Sequence, residues 1–269
     1  MRSAVCFGIA NLQPQVDDPG SQKTVEDRQG PAETPPIRFL SRAELAAGHL
    51  AGDGLEIGAL HSPTPVPTGS RSRFVDRKPA SELRKEYWEL AELDLVEVDV
   101  VDDGEILRTI PDGSQAFIIA NHFLEHCEDP IGTIGTHLRK LQPGGVLFYT
   151  VPDKRYTFDF RRPLTPLEHM VADHEQGPEA SRRQHYEEWT LLTPAQPTEE
   201  GRPEFERWAG EQAQKLESEA ASIHMHVWTQ AEFLELILHC RSRYEEAFDI
   251  EAAVRIAGEF VVLLRKRDP

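Results

Sequence analysis

Glu56 and Gly58 in "GLEIGALHSP" and Asp76 in "RFVDR" are the residues whose types and spacing first suggest chemistry. A carboxylate that closes a strand can accept hydrogen bonds from both hydroxyls of a ribose, and a loop glycine lets the main chain approach a bound ligand. The pairing predicts a ribose-bearing cofactor. Leu60, Ser62 and Pro63 stand where a pyrophosphate loop needs repeated glycine, which counts against a nicotinamide oxidoreductase. A second pattern, "HFLEH" from His122 to His126, matches the H-x-x-E-H zinc spacing. It directly follows an apolar strand ending at Asn121 and is cut short by "CEDP", so its context favours a packing role for His126 over a hydrolase metal.

These residues need a scaffold that presents strand ends to a ligand. Strand signals occur at "GLEIGA", "SRFVD", "LVEVDVV", "QAFIIAN" and "GGVLFYTV", and helical patterns such as "PASELRKEYWEL" and "DPIGTIGTHLRKLQP" lie between them. Strands alternating with helices predict crossover units, a parallel sheet covered on both faces, and a ligand at the carboxyl ends of the strands. Ser41 with Glu44 has capping-box spacing and predicts a leading helix. After the fifth strand the pattern breaks for about seventy residues, too long for a structureless loop. "LTPLEHMVADHEQ" and "RPEFERWAGEQAQKLESEAAS" have helical period there. A helix capped by Thr229 follows, then two strands meeting at Ala257-Gly258.

The expected fold is α/β: a Rossmann-like, doubly wound, seven-stranded and mostly parallel sheet, with a C-terminal antiparallel hairpin and a helical insertion after strand five. Residues 1–36, rich in polar residues and proline, read as a mobile leader. Residues 37–269 read as one domain, with a lid at about 152–223.

Composition narrows the function classes. The 269 residues carry 46 acids against 29 Lys and Arg, a formal net charge of -17, which disfavours nucleic acid as a partner. "RSRFVDRK" reads as solvated charge flanking a strand. No apolar run has the length of a membrane span and no secretory signal is evident, so the expected compartment is the cytoplasm. Cys6, Cys127 and Cys240 are widely spaced and read as reduced packing residues.

Taken in order and spacing, "GLEIGALHSP", "RFVDR", "VDVVDDGEIL", "QAFIIANHFLEHCEDP" and "LRKLQPGGVLFYTVPDKRYTFD" resemble class I S-adenosylmethionine-dependent methyltransferases. More narrowly, the chain is similar to a bacterial small-molecule and sugar O-methyltransferase-like subgroup. The resemblance covers about 54–160, and "HMHVWT" at 224–229. It implies S-adenosyl-L-methionine as cofactor, Glu56 and Gly58 in the first motif, and Ala59 among the loop contacts. It further implies Asp76 on the ribose, Asp102 or Asp103 near the adenine, and Asn121 and His122 beneath the methionine and its methyl group.

Methyl transfer is an in-line displacement, so the protein's main task is alignment, and an alcohol acceptor gains from a general base. His169 and Asp173 lie at i and i+4 on one helical face with His174 beside them, and His224 and His226 alternate so as to share one side of an extended segment. Any of these can serve as the base. The histidines with Asp153, Asp159 and Asp173 could also hold a divalent cation such as Mg; no fixed ligand spacing is present, and no metal ligand is assigned. Lys154, Arg155 and Tyr156 either line an acceptor pocket or form a turn held by Arg–Asp pairing. Trp189 and Trp208 suit a carbohydrate face or a helix seam equally. The expected function is methylation of a small-molecule hydroxyl on a sugar or glycosylated metabolite. The alternative is a non-catalytic protein of the same fold that binds S-adenosylmethionine, its demethylated product or a partner; a homodimer is left open.

Overall fold

The computed structural model describes residues 40–90, 92–193 and 203–268, so the expected leader lies outside the described residues. Its strands are β1 (Asp53–Ile57), β2 (Arg71–Asp76), β3 (Val100–Val101), β4 (Gln115–Asn121), β5 (Leu141–Pro152), β6 (Phe248–Ile256) and β7 (Glu259–Lys266). They form one seven-stranded sheet in the order β3-β2-β1-β4-β5-β7-β6. Strands β1 to β5 pair in parallel, while β7 runs antiparallel to both β5 and β6. This is the expected Rossmann-like sheet with its C-terminal hairpin. Strand order reverses between β1 and β4, the place where such sheets bind ligands.

The helices are α1 (Arg42–His49), α2 (Ala80–Glu86), α3 (Pro130–Lys140), α4 (Leu167–Gln176), α5 (Glu179–Leu192), α6 (Pro203–Ser218) and α7 (Gln230–Arg243). Alternation along the strands sends side chains to two cores. Ile118, Ala120, Leu147 and Tyr149 pack with Ile131 and Ile134 of α3 and Phe233 and Ile237 of α7. On the opposite face Phe117, Ile119 and Phe148 pack with Leu45 and Ala46 of α1. Local chemistry sets the helix starts. Ser41 and Glu44 form the reciprocal capping box of α1, Asp129 accepts from Gly132 N ahead of Pro130 in α3, and Thr229 with Glu232 caps α7.

Gly54 is required by packing rather than by backbone conformation. A Cβ there would lie 2.4 Å from the Phe117 carbonyl oxygen and 2.4 Å from its ring. Gly54→Ala is expected to cost about 1–3 kcal/mol by overpacking, read as an earlier urea midpoint; an unchanged midpoint would contradict this packing.

The structure departs from the sequence pattern in three elements. The strand expected over "LVEVDVV" shrinks to β3, because Asp99 accepts from Phe74 N through its side chain (2.8 Å) and Val96 N donates to Leu60 O (2.7 Å), which takes the main chain out of a regular ladder. The pattern "PASELRKEYWEL" gives α2 and then a separate 3₁₀ turn, Trp88–Leu90. The insertion holds a further helix, α5, whose charged composition conceals its seam; Tyr186 and Trp189 of that helix pack with Ala213 and Leu216 of α6 and with Ile223. Among the described residues no helix is long and apolar enough to cross a membrane.

Candidate functional site

Parallel register brings the first group of sequence-predicted residues to one edge of the sheet. Ile57 pairs with Val75 and with Ala120, so Gly58 emerges between Asp76 and Asn121. Asp76 pairs with Val101, and Asp102 N donates to Asp76 O at 3.0 Å. Gly58 has φ 67° and its N–H donates to Val75 O at 3.0 Å, while a Cβ at this position would meet nothing within 4 Å, so the space beside it is open. That is the surface a ligand can approach. Asp76 is half-buried at the end of β2 and accepts from Arg77 N at 2.8 Å; burial raises its pKa above the ordinary carboxylate value. The open space beside Gly58 and the Asp76 carboxylate leave room and a hydrogen-bond acceptor for a polar ligand at this edge of the sheet.

The loop that leaves β1 is held from below. Glu56 is buried and accepts from Thr64 N (3.0 Å), Thr64 Oγ1 (2.9 Å) and Asn121 Nδ2 (3.2 Å). Asn121 also donates to Thr64 Oγ1 (2.8 Å), and its carbonyl accepts from Thr150 Oγ1 (2.5 Å). This network ties residues 58–64 to β4 and β5. Ala59 O accepts from Ser62 N (2.9 Å), and Leu60 takes φ 48° in the turn. Asp102 accepts from Thr109 N and Oγ1 (2.8 and 2.7 Å), and Asp103 accepts from Glu105 N (2.9 Å), so both brace the loop after β3.

Burial pushes the Glu56 carboxyl up from 4.5 to about 6, against the hydrogen bonds from Thr64 and Asn121. The folded protein therefore disfavours the ionised form, and Glu56's contribution to stability is lost as pH rises from about 4.5 through about 6. The loss amounts to about 2 kcal/mol. In Glu56→Gln that pH-dependent component is expected to vanish from chemical-denaturation curves taken across this range. A Gln variant with the wild-type slope would show that another group carries the effect.

His122 begins the turn after β4 with φ 49°, donates to Glu259 (2.8 Å) at the start of β7, and lies 3.5 Å from Glu125. Burial opposes its charge, but the two carboxylates outweigh burial and hold its pKa at about 9, making it an imidazolium at neutral pH. His126 turns to Ile223 O instead (2.9 Å), so the ends of "HFLEH" bond to different partners.

The second group of residues falls into two clusters. Met225 N (2.7 Å) and His226 N (3.2 Å) both donate to Glu125 O, hooking the "HMH" segment onto the turn after β4. His224 donates from Nδ1 to Asp159 (2.6 Å), and its side chain retains 12% exposure. Asp159 is also paired with the fully buried Arg162 (2.9 Å), which donates in addition to His224 O (2.7 Å), Met225 O (3.1 Å) and Glu188 (2.8 Å). Burial would raise the Asp159 pKa, but His224 and Arg162 hold it below the ordinary value. His226 turns away from this cluster and packs against His169 and His185, with ring centroids 5.9 and 4.9 Å away. Asp173 approaches His169 (3.1 Å) in the same place, whereas His174 leaves to donate to Asp129 (2.8 Å). His224 and His226 thus serve different neighbours despite their alternation.

Neither Asp153 nor Asp159 offers an open carboxylate to a cation, since Arg155 takes Asp153 through two bonds (2.9 and 2.6 Å) and Arg162 with His224 takes Asp159. Tyr156 is exposed, and Lys154 donates to Phe160 O (3.1 Å). Trp208 stacks on Phe205 within α6. Sequence reasoning missed Thr64, Thr150, Arg162, His185 and Glu259, whose partners lie 8 to 137 residues away in the chain.

A mostly parallel sheet in this strand order, with a carboxylate closing β2 and an open loop after β1, defines a Rossmann-like fold. The chain belongs to the methyltransferase-domain family, whose model matches residues 40–237, and its cofactor is S-adenosylmethionine. No curated protein matches it. Among solved structures it is similar to a CurJ carbon methyltransferase (14% identity, TM-score 0.41), covering 88% of this chain and 50% of that one. The chain thus spans half the length of that relative. It is also similar to a SAM-dependent methyltransferase from Methanosarcina mazei (16% identity, TM-score 0.44, 82% and 96% of the two chains). A putative methyltransferase from Bacillus halodurans is comparable (12% identity, TM-score 0.40, 84% and 96%).

Proposed function

We propose that the chain methylates a hydroxyl of a small molecule, a sugar or a glycosylated metabolite, as a cytoplasmic enzyme. The observation that carries this reading is the His224–Asp159 pair (2.6 Å) beside the turn that follows β4. A carboxylate on Nδ1 fixes the imidazole tautomer and leaves Nε2 as a base, which an alcohol acceptor needs and a carboxylate acceptor does not.

S-adenosylmethionine supplies an activated methyl group on a positively charged sulfur. Asp76 accepts from the ribose hydroxyls, and the main chain of Gly58 and Ala59 receives the amino-acid tail. Glu56 keeps that loop in place through Thr64. Asp102 and Asp103 shape the adenine side, and Asn121 and His122 form the floor beneath the methionine. His224 takes the acceptor proton at Nε2, while His169, Asp173 and His226, the other candidates for the base, form a neighbouring and largely buried cluster. Residues 37–269 act as one catalytic domain in this scheme, with about 152–223 closing over the acceptor and excluding water.

The test is methyl release from labelled cofactor over a panel of sugars, glycosides, phenols and amines. Transfer to oxygen of a glycosidic acceptor is the expected result. Transfer confined to amines would overturn the hydroxyl assignment, and cofactor binding without turnover on any acceptor would favour a non-catalytic binder.

A further inference from the structure

His226 is fully buried, and neither of its ring nitrogens has a hydrogen-bond partner. Leaving a buried polar group in that state is unfavourable, so something is expected to satisfy it. Around it the inserted helices supply a converging set. His169 Nε2 lies 3.1 Å from His185 Nε2, and ring nitrogens of His169, His185 and His226 all fall within 4.8 Å of one another. Asp173 Oδ1 is held by Ser181 Oγ at 2.7 Å, which leaves Oδ2 3.1 Å from His169 Nε2 and 3.8 Å from His185 Nε2. That second oxygen is itself buried without a hydrogen bond.

From this convergence we infer that His169, His185 and His226, with Asp173 in the fourth position, form a binding site for one zinc ion. Tetrahedral zinc with bonds of about 2.0–2.1 Å places neighbouring ligand atoms about 3.3–3.4 Å apart. The distances of 3.1, 3.1 and 3.8 Å among His169, His185 and Asp173 bracket that spacing. Three imidazoles select zinc over magnesium, which prefers oxygen ligands and retains its waters.

Four filled positions make this a closed, structural site. It joins α4, which gives His169 and Asp173, to α5, which gives His185, and to the segment entering α7, which gives His226. The ion would pin the inserted helices to the segment hooked on the turn after β4, and so hold the acceptor side of the molecule in place. The site is separate from the His224–Asp159 pair and does not depend on the methyl acceptor.

The experiment measures metal content in the tag-free full chain after growth in zinc-supplemented medium and dialysis. About one zinc per chain is expected, the stoichiometry of a single four-coordinate site. His226→Ala and His185→Ala should each retain less than about a tenth of it, whereas His224→Gln should retain all of it. Replacement by cobalt should give the intense visible absorption of a tetrahedral nitrogen and oxygen site, and Asp173→Asn should shift that spectrum; this readout serves if the alanine variants fail to fold. Folded wild-type chain with no zinc after growth and none taken up on titration would overturn the inference. Zinc lost in His224→Gln, or retained in full by His226→Ala, would overturn the ligand assignment.

Discussion

Asp76→Ala is expected to weaken S-adenosylmethionine binding by about 10- to 150-fold, leaving the fold intact. The carboxylate closes β2 and stands near the open space beside Gly58, with one oxygen accepting from Arg77 N at 2.8 Å. In the proposed binding mode Asp76 accepts from the ribose hydroxyls, and a hydrogen bond to a charged partner is worth about 1.5–3 kcal/mol. Asp76→Asn keeps the shape and one acceptor, so its loss should be smaller. Calorimetric titration with S-adenosylhomocysteine gives both values. Equal affinity in wild type and Asp76→Ala would remove Asp76 from the site.

His224→Gln is expected to lower kcat by about 10²- to 10⁴-fold, the range for loss of a positioned base, with cofactor affinity changed less than about twofold. The side chain is anchored by Asp159 and braced by Arg162 through its own carbonyl, so the substitution removes the base without releasing the segment. Added imidazole should restore part of the rate if the missing function is proton removal. A variant that loses cofactor affinity and rate together would instead assign His224 to cofactor binding. Variants at His226 separate from this one, because that ring belongs to the neighbouring cluster with His169 and His185.

The sheet and its ligand edge are legible in the sequence because each is a local pattern repeated along the chain. Glu56, Asp76 and Asn121 sit in or at the ends of short apolar runs, and parallel register alone brings those ends together. What holds the edge is less visible. Thr64 reaches Glu56 across eight residues of loop, and Thr150 reaches Asn121 from the next strand, so no periodicity marks either.

The histidine-rich segment at 224–226 is the harder case. Alternation of His224 and His226 places them on one side of an ideal strand, yet the segment is irregular. Its main chain is fixed by Arg162 and by Glu125 O, and its two rings enter different clusters. Arg162 lies in a stretch that reads as a turn, and His185 lies in a helix whose period is masked by charge. The i and i+4 pair His169 and Asp173 is visible in sequence, but its convergence with His185 and His226 depends on how three separate segments pack.

The most direct measurement of the central claim is calorimetric titration of the full chain with S-adenosylmethionine and with S-adenosylhomocysteine. One site per chain for each ligand, weakened together by Asp76→Ala and untouched by His224→Gln, is the predicted result. A folded chain that gives no binding heat with either ligand at several temperatures would contradict it.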